Sequence, residues 1–289
     1  MTVGLLAMDR VGDGHDPCFD FRISGADGVD MTRVRIFAKG NVDVHDTLHS
    51  CRIGDTVMWN GVNAALRSHR PDVTVRLKHE TWTRSDALLA AAGSPPPDLL
   101  SRSPPLGAYP ADSQFSTALF DTEADVYVLS IQPDVATNLL RHDRNGYLLY
   151  PNNTSTWSES DRAWLRSEFT PTGCLTAAES AENMIRIVDR LRAQSDRPVL
   201  VFNLSPIVPG DNTHCYSGLG ETASTRIRQF NLSLVDLSER TGVSIVDVDT
   251  LIARHGADQL KIDTMHMTPK GYELVAVEVV RILEDLGVI

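Results

Sequence analysis

Asp263 and His266, in the run Asp263-Thr-Met-His266, have the residue types and spacing of a general base. An Asp three residues before a His can hold the imidazole through Nδ1 and leave Nε2 to take a proton. A second group lies in Asp43-Val-His45-Asp46-Thr-Leu-His49. Asp43 reads as a second acid/base carboxylate or the orienter of a bound amine, with an Asx-turn as the alternative. His45 and His49 with the neighbouring aspartates suit zinc or iron, with His79-Glu80 as a distant partner, but no spacing fixes a full ligand set. The main reading therefore takes no metal and no cofactor. Arg84 has the planar fork that pairs a substrate carboxylate, or it balances Asp86. Ser50, Ser205 and Ser217 lie outside any Gly-x-Ser-x-Gly elbow and read as caps or loop hydroxyls. Cys215 beside His214 is a weaker nucleophile candidate.

The scaffold for these side chains follows from hydrophobic periodicity. Strands are expected over residues 34–37, 73–77, 125–131, 198–204 and 243–248, and helices over 56–67, 85–92, 178–193 and 225–240. Thr268-Pro269 reads as N-cap and first position of a closing helix with Val275, Val279, Ile282, Leu283 and Leu286 on one face. Strand alternating with helix predicts an α/β three-layer sandwich, flavodoxin-like, with a five-stranded parallel sheet. Residues 1–32 read as an N-terminal arm and 33–289 as one domain. The prolines of residues 94–112 require a surface excursion. An aromatic-rich insertion at 135–175 either caps a pocket or packs on the body.

Ligands of open α/β sheets bind beyond the carboxyl ends of the strands. Those ends here carry Gly40-Asn41-Val42-Asp43, His79-Glu80-Thr-Trp82-Thr83-Arg84, Gln132-Pro133-Asp134, Asn203-Leu-Ser205 and Asp247-Val-Asp249. Together with the Asp-x-x-His block, its following Thr, Gly271 and the last helix, this order resembles the SGNH, or GDSL-like, hydrolases. The resemblance implies a nucleophilic serine after Gly-Asp at the first strand end, oxyanion donors from a glycine and an asparagine, and His266 as base with Asp263 as orienter. Gly40 matches, whereas Asn41 stands for the acid and Val42 for the serine. In the third block either Asp134 takes the asparagine position or Gln132 does.

A valine has no nucleophilic atom, so an ordinary serine acyl-enzyme is disfavoured. The function expected is a divergent enzyme acting at an ester, thioester or amide-like carbonyl of a small metabolite. Hydrolysis, group transfer or cyclisation would be driven by the His–Asp base through water or the substrate's own nucleophile. Asn41, the amides around Val42, Gln132, Asp134, Asn203 and Arg84 would bind the substrate. A catalytically silent SGNH-like binding protein is the alternative. The net charge of −11 and the absence of basic runs disfavour nucleic acid and anionic membranes as partners, leaving a small molecule. The four cysteines, Cys18, Cys51, Cys174 and Cys215, are scattered and read as reduced thiols. The opening residues lack a complete signal-peptide core, and the expected location is cytoplasmic.

Overall fold

The structure, a computed structural model, describes residues 31–209 and 221–289. The expected N-terminal arm and the Cys18, His214, Cys215 and Ser217 readings therefore fall outside, or almost wholly outside, the described residues. From Thr32 onward the chain forms β1 (Thr32–Lys39), α1 (Val42–Leu48), α2 (Val62–His69), β2 (Val73–Glu80), α3 (Ser85–Ala90) and β3 (Val126–Ser130). It continues through α4 (Ala177–Arg192), β4 (Val199–Phe202), α5 (Ala223–Thr241), β5 (Ser244–Val246), α6 (Val248–His255) and α7 (Pro269–Asp285). The five strands pair in the order β2-β1-β3-β4-β5, every pair parallel. This is the flavodoxin-like order, and it puts the switch point between β1 and β3.

Parallel strands covered on both faces must be apolar on both, and the alternation of β1 and β3 shows how the layers divide. Val34, Ile36, Ala38, Val126 and Val128 pack with Leu66, Val275 and Val279 from α2 and α7. Phe37, Tyr127 and Leu129 face the other way, onto Met184 and Val188 of α4 and Phe230 of α5. The caps are the ones the sequence chemistry favours. Thr176 and Glu179 form a reciprocal capping box on α4, and the Thr268 hydroxyl accepts from Gly271 N–H at the start of α7.

Several expectations are corrected. Residues 56–67 are not one helix, because Thr56–Trp59 pairs with Cys51–Ile53 as an antiparallel hairpin and α2 begins only at Val62. The break is Gly61, whose φ of +75° and close approach to the His49 carbonyl leave no room for a side chain. Residues 247–248 leave the fifth strand, since the Asp247 side chain caps α6 through Thr250 N–H. Leu286 lies beyond α7 and is exposed, whereas Val275, Val279, Ile282 and Leu283 are buried. The proline-rich excursion holds two short helices, Pro97–Arg102 and Ala111–Gln114, which begin at or just after prolines.

The insertion folds into a small antiparallel sheet (Leu140–His142, Leu148–Leu149, Phe169–Pro171) and a helix (Glu159–Glu168). Its Trp157, Trp164 and Phe169 share a separate core with Leu99, Leu106 and Phe115 of the excursion. Most of its aromatic content thus packs within that separate core.

Candidate active site at the strand ends

The last block builds a tight loop. Lys261 and Met267 form a β-bridge at its neck, and Ile262 N–H donates to the His266 carbonyl at 3.0 Å. Asp263 turns its Oδ1 inward to accept from the N–H groups of Met265 and His266, both at 2.8 Å. The same carboxylate lies 2.8 and 2.9 Å from His266 Nδ1. Burial pushes the Asp263 carboxyl upward, but these donors and the imidazole outweigh it, and the group ends below its ordinary value. The His266 side chain is 51% exposed, and its Nε2 makes no hydrogen bond among the described residues. The loop sits beside the third strand end, where Gln132 Nε2 donates to the Met265 carbonyl at 3.4 Å.

Gly40 ends β1 where an added Cβ would run into the Val44 side chain of α1, which explains why a glycine stands there. Val42 is the first residue of α1, at the place where the resemblance expects the serine. One residue on, Asp43 is buried and turned back under the helix start. Its carboxylate accepts from Asn41 N–H at 3.2 Å and from the Ser130 hydroxyl at the end of β3, with the Val44 and Asp43 N–H groups adding to its hold. Ser130 Oγ in turn accepts from Gln132 N–H at 2.9 Å. Burial raises the Asp43 carboxyl above its ordinary value against these hydrogen bonds. The expectation of an acid/base group opposite His266 is therefore corrected: Asp43 is an internal cap that joins β1 to β3. It also consumes the amides around Val42 that were expected to face developing negative charge.

Other expected substrate contacts are likewise spent inside the protein. Arg84 is 2% exposed. Its five N–H groups reach Asp86 (2.8 and 2.8 Å), the Thr137 and Gly173 carbonyls (3.3 and 2.7 Å) and the Thr172 hydroxyl (2.9 Å). It staples the insertion to α3, and no donor is left for a substrate carboxylate. Asn203 donates to Asp247 at 2.8 Å and accepts from Asp249 N–H at 3.1 Å, fastening β4 to the start of α6. The Asn41 side chain, with its nitrogen turned toward the Gly40 and Trp82 carbonyls (3.3 and 3.1 Å), has its oxygen 3.3 Å from the Tyr109 hydroxyl.

Asp134 is fully buried away from the rim, accepting from Ser85 N–H at 2.6 Å and from the Ser180 hydroxyl at 2.5 Å. Of the two residues open for the third block, Gln132 is the one that reaches the His266 loop. Burial raises the Asp134 carboxyl from an ordinary 3.8 to about 6, with the nearby Asp86 charge adding to it. A raised folded-state value contributes stability that is complete below the unfolded pKa and lost as pH rises through the folded one. Measured by denaturant unfolding, the wild type should lose about 2 kcal/mol relative to Asp134→Asn between about pH 4 and pH 7. Parallel curves for the two proteins would contradict the buried-carboxylate reading.

The three histidine rings lie close together. The His45 ring lies 5.3 Å from that of His49 and 5.1 Å from that of His79. His45 Nδ1 is 2.8 Å from Asp46, and His79 Nε2 donates to the Gly40 carbonyl at 3.0 Å. Among the described residues no group of three or more His, Cys, Asp or Glu side chains is arranged to hold a metal ion. Burial, with the neighbouring His45, lowers His79 to about 4. Ser50 and Ser205 are buried, and Cys51 and Cys174 are free thiols, the first buried and the second exposed.

Three site residues escaped the sequence reading. Ser130 was legible only as a residue of the third expected strand. Lys261 stood inside the closing block without a motif role. Tyr109 reaches Asn41 from the proline-rich excursion and stacks edge-on against Tyr150 at 4.9 Å. Burial, with Tyr150 and Asp43 nearby, raises its hydroxyl to about 12.

Sheet order, switch point and helices on both faces define a flavodoxin-like three-layer α/β sandwich, with Val42 at the first helix start and the Asp-x-x-His block ahead of the last helix. No protein-family model matches the sequence, and no curated protein matches it. Solved structures of similar arrangement include a lipase/acylhydrolase from Enterococcus faecalis (14% identity, 88% of this chain and 96% of that one, TM-score 0.46). An aryl esterase of M. smegmatis (12%, 88% and 99%, 0.46) and an acetyl xylan esterase (10%, 86% and 100%, 0.47) are also similar. At such identities the activities named belong to those proteins, and the fold described here stands on the chain's own sheet. Among the described residues no helix is long and apolar enough to cross a membrane.

Proposed function

We propose that the chain is an enzyme acting at an ester, thioester or amide-like carbonyl of a small metabolite, with His266 as general base and without a serine acyl-enzyme. The observation that carries this reading is the Asp263–His266 pair, with Nδ1 held by the carboxylate and Nε2 open at the strand-end rim. In the reaction, Nε2 takes the proton of water, or of the substrate's own hydroxyl or amine, as its heteroatom attacks the carbonyl carbon. The imidazolium then returns the proton to the leaving heteroatom as the carbonyl–leaving-group bond breaks. Gln132, with one amide N–H on Met265 and one remaining, is the donor available to the carbonyl oxygen. Hydrolysis, transfer and intramolecular cyclisation differ only in which nucleophile occupies the site.

Incubation with a fluorophosphonate probe followed by intact mass tests the serine-free chemistry. No adduct is expected, because Val42 has no nucleophilic atom and the Ser130 hydroxyl is buried on Asp43. An adduct that disappears in His266→Ala would mean that a serine elsewhere attacks. A silent binding protein is the second reading, favoured by one observation: the Asp43 carboxylate already fills the amides at the start of α1. In that case His266→Ala leaves ligand affinity intact and there is no turnover to lose.

A further inference from the structure

The loop that carries His266 is closed by backbone bonds at its neck and by the Asp263 carboxylate across its arc, and two of its carbonyls are held from outside it. Of the arc carbonyls, Met265 O meets Gln132, and Thr264 O meets Lys261 Nζ at 2.8 Å. The same ammonium donates to the Ser205 carbonyl, just beyond β4, at 2.9 Å. Lys261 is 6% exposed, so this amine has been withdrawn from water, which is unfavourable for a cation unless its partners compensate. Two carboxylates do so from separate elements: Asp249, in the first turn of α6, and Asp263 itself, both of which favour its charged form. An aliphatic side chain would fill the space without that desolvation. What the amine adds is a bond from the sheet to the arc and a positive charge near the carboxylate that orients the imidazole.

We propose that Lys261 is a positioning residue for His266, tying the Asp263–His266 loop to the end of β4 and setting the orientation of the imidazole. This rests on the reading of His266 as the base, but the tie itself can be tested without a substrate. Burial lowers the Lys261 ammonium to about 8, against the pull of Asp263 and Asp249. The charged groups that act on it are the carboxyls of Asp263 in the loop and Asp249 in α6.

The experiment is NMR of the His266 ring in the full chain, assigned by its loss in His266→Ala and followed through a pH titration. In the wild type the ring resonances should show an inflection near pH 8 from the neighbouring ammonium. In Lys261→Met that inflection should vanish and the Nδ1–H signal paired with Asp263 should broaden or shift. Turnover of a carbonyl substrate should fall on the order of 10- to 100-fold in kcat with KM little changed. Ring shifts and titration unchanged in a folded Lys261→Met, or in Lys261→Gln, would overturn the proposal. Should neither variant fold, the wild type decides: NOEs from the Lys261 Cε protons to the Thr264 and Ser205 backbones support the tie, and their absence overturns it. The expected ring changes in a protein that turns over no carbonyl substrate would uphold the positioning role while removing the catalytic reading.

Discussion

Replacing His266 by alanine is expected to lower kcat/KM on a carbonyl substrate by about 10²- to 10⁴-fold, the range over which a positioned general base contributes. The loss should fall mainly on kcat, because the imidazole acts on the proton in flight and has half its side chain in solvent rather than in a binding wall. Asp263→Asn should cost less in protein stability than in rate. The amide oxygen can still accept from Met265 and His266 N–H, but an amide no longer favours the imidazolium that forms as the proton is taken. Steady-state kinetics on a panel of small esters and thioesters checks both variants. Retention of wild-type kcat by His266→Ala would end the general-base proposal, whichever substrate is used.

Arg84→Met should destabilise the fold by about 3–5 kcal/mol, the usual consequence of removing one partner of a buried ionic pair. The change leaves the Asp86 carboxylate without its fork and abandons two backbone carbonyls, Thr137 O and Gly173 O, at the root of the insertion. Arg84→Lys should recover only part of that, because an ammonium cannot span Asp86, Thr172 and both carbonyls from one plane. Urea unfolding measures the loss. A variant as stable as wild type but weaker in ligand binding would restore the substrate-clamp role that the sequence suggested for this residue.

His266 and Arg84 differ in how local their contacts are. Asp263 and His266 are three residues apart in one tight loop, so their pairing is a local property that spacing can express. The capping of α7 by Thr268 and the alternation of strands and helices are local in the same sense, and they led to the five-stranded parallel sheet. Arg84 meets Thr172 and Gly173, 88 and 89 positions away, and no periodicity reports such a contact. Residues 56–59 of the hairpin stand in the helix expected over 56–67, an expectation drawn from the recurrence of Val57, Val62 and Leu66. A positive-φ glycine at 61 and pairing with Cys51–Ile53 overrode it.

What the sequence by itself determined is the layer architecture, the oriented imidazole and the lack of a nucleophilic atom at Val42, since each follows from residue type, period or short spacing. Only the tertiary structure decided which polar side chains face outward. Asp43, Arg84, Asp134 and Asn203 all stand at strand ends or at the helix starts that follow them, and each is turned inward to satisfy buried N–H or carbonyl groups. The physical reason is that every strand end beside a helix start leaves unpaired backbone groups, and a buried one must find a partner. A side chain committed to that task has the same one-letter code as one aimed at a substrate.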